Sequence, residues 1–242
     1  MISRFYCPIP LQAGRSITLP PEAAHHALRV LRLRSGDELV LFDGLGGEYP
    51  GRVVEATGIL RVALEGRREI DREAPLALTL VQALPAGDKM DWVVQKAVEL
   101  GAAAIQPVEA KRSVVRLAGE RADKRVAHWQ QVAISACEQS GRNRLPRIGS
   151  IVDLPHYLAT APGENETLLL LSPQQGVRLS ALTKPPAGVT LLIGPEGGFD
   201  EGEERAALSV GFQSISLGPR VLRTETAGLA AMAAVLALWG DV

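Results

Sequence analysis

The stretch VTLLIGPEGGFDEGEERAALSVGFQSISLGP, Val189–Pro219, decides the fold. It opens on a short apolar run, passes through a loop of glycine and proline, continues as a charged helix-like segment (201–211) and ends on a second strand-like run, FQSISLGP (212–219). Glycine and proline mark where each element stops. Working outward, the same alternation holds from Leu76 onward. LALTLVQAL (76–84) reads as a strand, KMDWVVQKAVELG (89–101) as a helix ending at Gly101, and AAIQPVEA (103–110) as a strand. A long helix from about Arg121 to Ser140 follows, then the basic loop GRNRLPRIG (141–149), the strand TLLLLSP (167–173) and a helix-like RLSALTK (178–184). Near-continuous apolar strands alternating with helices predict an α/β domain whose parallel sheet is covered on both faces. Ligands of such sheets sit beyond the carboxyl ends of the strands.

The first 70 residues have a different rhythm. SITLP, DELVLFDG, EYPGRVVEA and LRVALEG are short β-type runs, with one helix expected in PPEAAHHALRVLRL (20–33). A small β-barrel with a helix is expected here, followed by a charged linker REIDREAP (68–75), which divides the chain into domains 1–70 and 75–242.

Composition narrows the function. Hydrophobic residues make up 46% and charged residues 22%, ordinary for a globular protein. Cys7 and Cys137 stand apart with no CxxC or Cys/His cluster, so no zinc site or disulfide framework is expected, and a reducing cytoplasm fits. The N-terminus has no apolar signal core, and the longest uncharged apolar run, 227–239, is too short to span a bilayer, so no membrane is expected. The net charge of −1 conceals an asymmetry. Residues 111–147 hold nine basic and three acidic residues, whereas 148–242 hold five basic and ten acidic, so a polyanion is drawn to one region.

Three strand-end loops carry the chemistry: LSPQQG (171–176), IGPEGGFD (193–200) and LGPRVLRTETAG (217–228). Their glycines allow close backbone approach to a ligand. Neither GxxxxGK[ST] nor GxGxxG is present, and Glu196 would repel a polyphosphate, so nucleotide-phosphate cradles are not supported. A ligand bearing a sulfonium, an amino group and a neutral adenine suits such loops better.

The motifs LLLLSPQQG, IGPEGGF and LGPRVLRTETA resemble the loops of SPOUT-class, S-adenosylmethionine-dependent RNA methyltransferases. More narrowly, the chain resembles the family of ribosomal RNA small subunit methyltransferase E, which methylates N3 of one uridine in bacterial 16S rRNA. That resemblance extends over GDKMDWVVQKAVELGAAAIQPV (87–108), CEQSGRNRLP (137–146) and HHALRVLRLRSGDELVLFDG (25–44). It implies an N-terminal PUA-like RNA-binding β-barrel and a C-terminal SPOUT domain whose parallel sheet is tied in a deep trefoil knot. It also implies a homodimer and no metal. Carried over by residue, Leu171, Ser172 and Pro173 form the first cofactor loop, and Gly194, Glu196, Gly197 and Gly198 the second. Leu217, Gly218, Leu222, Arg223, Thr226 and Ala227 form the third, with Arg220, Arg223 and Glu225 where cofactor and target base meet. Arg29, Arg32, Arg34, Arg112, Arg142 and Arg144 are the expected RNA contacts, with Arg147 beside the last two.

Some of these residues have ordinary structural readings as well. Glu225 in the first turn of a helix complements the macrodipole, and Thr224 is a standard N-cap type. Trp92 and Trp129 fall at apolar helical positions and are expected in the core. Arg220 and Arg223 beside so apolar a helix favour function: a planar guanidinium stabilises a uridine anion, while the base that takes the N3 proton stays open between Glu225 and solvent. Two further readings remain open, a non-catalytic RNA-binding module for ribosome assembly and a methyltransferase acting on transfer RNA.

Overall fold

A computed structural model describes residues 2–160, 166–172, 176–185 and 187–242. The chain forms two compact units: residues 1–73 with 137–145, and residues 74–136 with 146–242. The division between Glu73 and Ala74 falls inside the expected linker. The linear scheme 1–70 and 75–242 does not contain the return of 137–145 to the first unit.

In the first unit, β1 (Ser3–Tyr6), β2 (Ser16–Thr18), β3 (Glu38–Phe42), β4 (Tyr49–Glu55) and β5 (Arg61–Leu64) form one sheet in the order β1-β3-β4-β5-β2. β1 pairs with β3 in parallel and the other pairs are antiparallel. No closing pair between β1 and β2 is present among the described strands. The sheet curls over a core of Phe5, Leu19, Leu39, Leu41, Leu60 and Val62. The expected helix is two pieces, α1 (Pro21–His25) and a π-helical turn, His26–Val30. In β3, Leu39 and Leu41 enter this core, while the alternate residues Val40 and Phe42 are buried on the other face of the strand.

A polar cluster holds 137–145 against this unit. Arg4 Nη1 lies 2.6 Å from Glu48 Oε2, and Arg4 Nη2 donates to Asn143 Oδ1 at 2.5 Å. Asn143 Nδ2 donates to Ile70 O, and Glu138 Oε1 accepts from Tyr6 N–H. Burial works against the Glu48 carboxylate, but hydrogen bonds from Arg4 and Arg72 outweigh it and hold its pKa below the usual value.

In the second unit, β6 (Ala77–Ala83), α2 (Lys89–Glu99), β7 (Ala104–Glu109), α3 (Glu120–Ser140), β8 (Arg147–Ile148), β9 (Val152–Asp153) and α4 (Leu154–Ala159) come first. β10 (Glu166–Leu171), β11 (Val177–Arg178), β12 (Gly188–Ile193), α5 (Glu201–Ser209), β13 (Gln213–Ser216) and α6 (Thr224–Trp239) complete it. The sheet order is β11-β13-β10-β12-β6-β7-β8, with β9 also on β7, and every pair is parallel. All six residues of β12 are buried, as expected of a strand covered on both faces. RLSALTK forms only a three-residue 3-10 turn, Leu179–Ala181. α5 starts on a capping box in which Asp200 and Glu203 satisfy each other's backbone N–H.

β10 lies between β12 and β13, and α6, which follows β13, packs on β12, β10 and β6 and touches the Leu179–Ala181 turn. Gly228 allows the close approach: a Cβ there would stand 3.0 Å from Leu80 Cδ1. Trp129 is buried with its indole N–H on Asp91, but Trp92 is 45% exposed, so it is not a core residue.

Candidate active site

Parallel pairing brings the carboxyl ends of β10, β12 and β13 to one edge, and the three loops that leave them enclose a cavity of about 350 Å³. That volume lies in the range of small-molecule sites. Leu171 and Ser172 contribute from the first loop, Gly194, Glu196 and Gly198 from the second, and Leu217, Gly218, Arg220, Leu222, Arg223 and Ala227 from the third. Pro173 lies outside the described residues. Gly198 has φ +66°, a left-handed conformation that a side chain disfavours. The main chains of Val221 and Leu222, both on the cavity wall, make no hydrogen bond among the described residues. Backbone donors and acceptors in a mostly apolar cleft suit a neutral purine with a short charged tail, so the cavity fits the cofactor class expected of these loops.

Two expected cofactor residues are placed elsewhere. Gly197 does not line the cavity; its carbonyl accepts from Arg112 Nη1 at 2.8 Å, and a Cβ on it would meet the Arg112 side chain at 3.3 Å. Arg112, expected on RNA, thus braces the second loop, also donating to Phe199 O. Thr226 is exposed on α6 and outside the cavity lining.

Thr224, expected as the N-cap of α6, is instead its first residue. Arg223 holds the N-cap position with no side-chain capping bond, while Thr224 is buried and lines the cavity. Its hydroxyl donates to Gly194 O at 2.6 Å and accepts from the buried Gln82 Nε2 at 2.9 Å. Because Gln82 donates, the threonine proton is committed to Gly194. This bond ties the second loop to the start of α6. Gln82 gave no sequence signal, since one amide in an apolar strand carries no motif.

Lys89, at the start of α2, lies 3.1 Å from Glu196 Oε1 and 3.3 Å from Glu225 Oε2. Glu196 also accepts from Ala86 N–H. Burial raises the Glu196 pKa, but the Ala86 and Lys89 hydrogen bonds prevail and hold it below the usual carboxylate range. The hydrogen bond to Glu196 correspondingly raises the Lys89 pKa. Glu225 is mostly buried in this pair and does not line the cavity. Arg220 and Arg223 do line it, both are exposed, and neither guanidinium has a hydrogen bond or ion pair among the described residues. Burial pushes the Cys7 and Cys137 thiols up to about 11, which makes both unreactive.

The remaining arginines separate into two kinds. Arg142 is not a phosphate contact: it is 3% exposed and bound to Glu73 through Nε and Nη2. Arg144 and Arg147 are exposed, and the Arg144 guanidinium packs against Gly46. Arg29, Arg32 and Arg34 border a groove in the first unit with His25 and Ile59, and none of the three guanidiniums is paired among the described residues. Arg32 has φ +57°, the one positive φ on a non-glycine among the described residues.

Comparisons with known proteins agree with this geometry. The profile of the RNA methyltransferase domain family matches residues 72–236, and that of the RNA methyltransferase PUA domain matches 19–60. Ribosomal RNA small subunit methyltransferase E of Bacillus subtilis is 33% identical over 93% of this chain and 91% of its own length. A crystal structure of ribosomal RNA small subunit methyltransferase E from Neisseria gonorrhoeae bound to S-adenosyl methionine has a TM-score of 0.94 and 41% identity, covering 100% of this chain and 99% of that one. A methyltransferase from Legionella pneumophila in complex with the same cofactor has a TM-score of 0.95 and 37% identity, with both chains fully covered.

Proposed function

The chain belongs to the RNA methyltransferase family, and on that premise we propose that it transfers a methyl group from S-adenosylmethionine to N3 of a uridine in the 16S rRNA of the small ribosomal subunit. The observation that carries this reading is the cavity where three strand-end loops meet, with two arginines on its wall that are unpaired among the described residues. Bound there, S-adenosylmethionine supplies an electrophilic methyl on a sulfonium sulfur. The residues of the chain supply placement and charge. Leu171, Gly194 and Leu222, which line the cavity, would hold the cofactor there and shield it from water.

Uridine N3 carries a proton at neutral pH and is a poor nucleophile until it leaves. Arg223, with Arg220, donates to the uracil oxygens and stabilises the anion. The proton goes to solvent, because Glu225 is engaged by Lys89 and is not on the cavity wall. Alignment of N3 with the methyl group supplies much of the remaining rate. Arg29, Arg32 and Arg34 on the first unit hold RNA phosphates. The reading further includes a cytoplasmic homodimer and a deep trefoil knot in the second unit.

The test is transfer of labelled methyl to separated pools of small-subunit rRNA, large-subunit rRNA and transfer RNA. Labelling of the small-subunit pool is expected. Labelling confined to transfer RNA would reassign the substrate, and a protein that binds rRNA but not S-adenosylmethionine would be a binding module.

A further inference from the structure

We propose that Lys89 is a positioning residue of the cofactor site: by sharing one ammonium between Glu196 of the second loop and Glu225 of α6, it sets the spacing of the two walls between which the cofactor is held. The inference rests on the reading of the cavity as the S-adenosylmethionine site.

The geometry is specific. Glu196 lines the cavity, whereas Glu225 stands two residues after Arg223 in the first turn of α6, and both carboxylates reach the same Nζ, at 3.1 and 3.3 Å. Among the described residues Glu225 Oε2, a buried atom, has no hydrogen-bond partner, so the ion pair with Lys89 is its compensation. A buried carboxylate without a countercharge is strongly unfavourable. Glu196 keeps a second donor, the Ala86 N–H, but Glu225 has no such substitute. Without the ammonium, two carboxylates converge with nothing between them. They move apart, carrying the second loop away from the start of α6 and Arg223 with it. Lys89 itself is not on the cavity wall, so it acts through its two partners.

The experiment compares S-adenosylmethionine affinity by calorimetry, and kcat and KM for methyl transfer, in Lys89→Met, Lys89→Arg, Glu225→Gln and the double variant Lys89→Met/Glu225→Gln. Circular dichroism verifies folding. Coupled charges of this kind shift affinity by roughly tenfold, so Lys89→Met is expected to weaken cofactor binding by about that factor. Lys89→Arg should retain most of the affinity. The double variant should recover most of the loss, because removing the second negative charge removes the repulsion. A side chain that only stabilised the fold would not be rescued this way. Wild-type affinity in Lys89→Met overturns the proposal, and so does a double variant as weak as Lys89→Met, since Lys89 would then act without Glu225. Should the parent protein itself bind no S-adenosylmethionine, the reading of the site fails, which is a separate outcome.

Discussion

Replacing Thr224 by valine tests how the cavity is assembled. The side chain keeps its shape and loses only its hydroxyl, which links Gly194 O at 2.6 Å to Gln82 Nε2 at 2.9 Å in a buried position. Gln82 still donates to Ala83 O, so the principal loss is the Gly194 carbonyl, left without this partner. An unsatisfied group of that kind costs about 1–3 kcal/mol. For a chain of this size each kcal/mol lowers Tm by roughly 2–4 °C, so a fall of about 2–12 °C is expected in ligand-free protein. Function should suffer with stability, because the freed Gly194 belongs to the cavity wall, and S-adenosylmethionine should bind more weakly. Thr224→Ser keeps the hydroxyl and should stay near the parent in binding. Differential scanning calorimetry and titration calorimetry on both variants provide the comparison. If valine and serine variants melt and bind alike, the hydroxyl bridge does not hold the second loop.

Further outcomes follow from the same geometry. Arg223→Ala should slow single-turnover methyl transfer by about 10² to 10³, and the defect should shrink at higher pH, where solution removes the N3 proton; a normal rate with weaker cofactor binding would make Arg223 a wall residue only. Arg142→Met should destabilise by up to about 3 kcal/mol, because the part-buried Glu73 carboxylate loses its ion-pair partner, whereas Arg29→Ala, Arg32→Ala or Arg34→Ala should each flatten the log–log salt dependence of RNA binding by about 0.7 to 0.9; urea unfolding and RNA titrations at several salt concentrations distinguish them. Glu138 has its pKa raised by burial, which outweighs the hydrogen bond from Tyr6 N–H. The folded state therefore holds that proton more tightly than the unfolded state. This contribution to stability grows as pH falls from neutral through the raised pKa towards the ordinary 4.5. Glu138→Gln should stabilise the protein at neutral pH, with the advantage vanishing in acid; a pH-independent difference in urea midpoint would contradict this.

The second unit was legible because its signals are local. The apolar runs of β6, β10 and β12 and the Gly101 stop after α2 stand in the sequence itself, as does the glycine- and proline-bearing loop after β12 that lines the cavity. α4 was missed although Asp153 caps it, because six residues with an internal proline show no helical period. β1 was missed for a different reason: SRFY has no alternation, and its pairing with β3 is set by the tertiary fold. The return of 137–145 to the first unit depends on Arg4, Glu48 and Asn143 meeting across long sequence separations, which no spacing rule encodes. For the same reason Arg142, in a run of arginines, read as a solvated phosphate contact when its partner is Glu73. At the site, residue types pointed to Arg220 and Arg223, but Lys89, Gln82 and Thr224 act through partners far along the chain.

The cavity at the three strand ends is assigned to methylation of uridine N3 in 16S rRNA. The most direct test of that assignment is nucleoside mass spectrometry of 16S rRNA from a strain lacking this chain, complemented with the parent protein or with Arg223→Ala. The account predicts that one 3-methyluridine is lost on deletion, restored by the parent and restored poorly or not at all by the variant. An unchanged 3-methyluridine content in the deletion strain, or full restoration by Arg223→Ala, would contradict it.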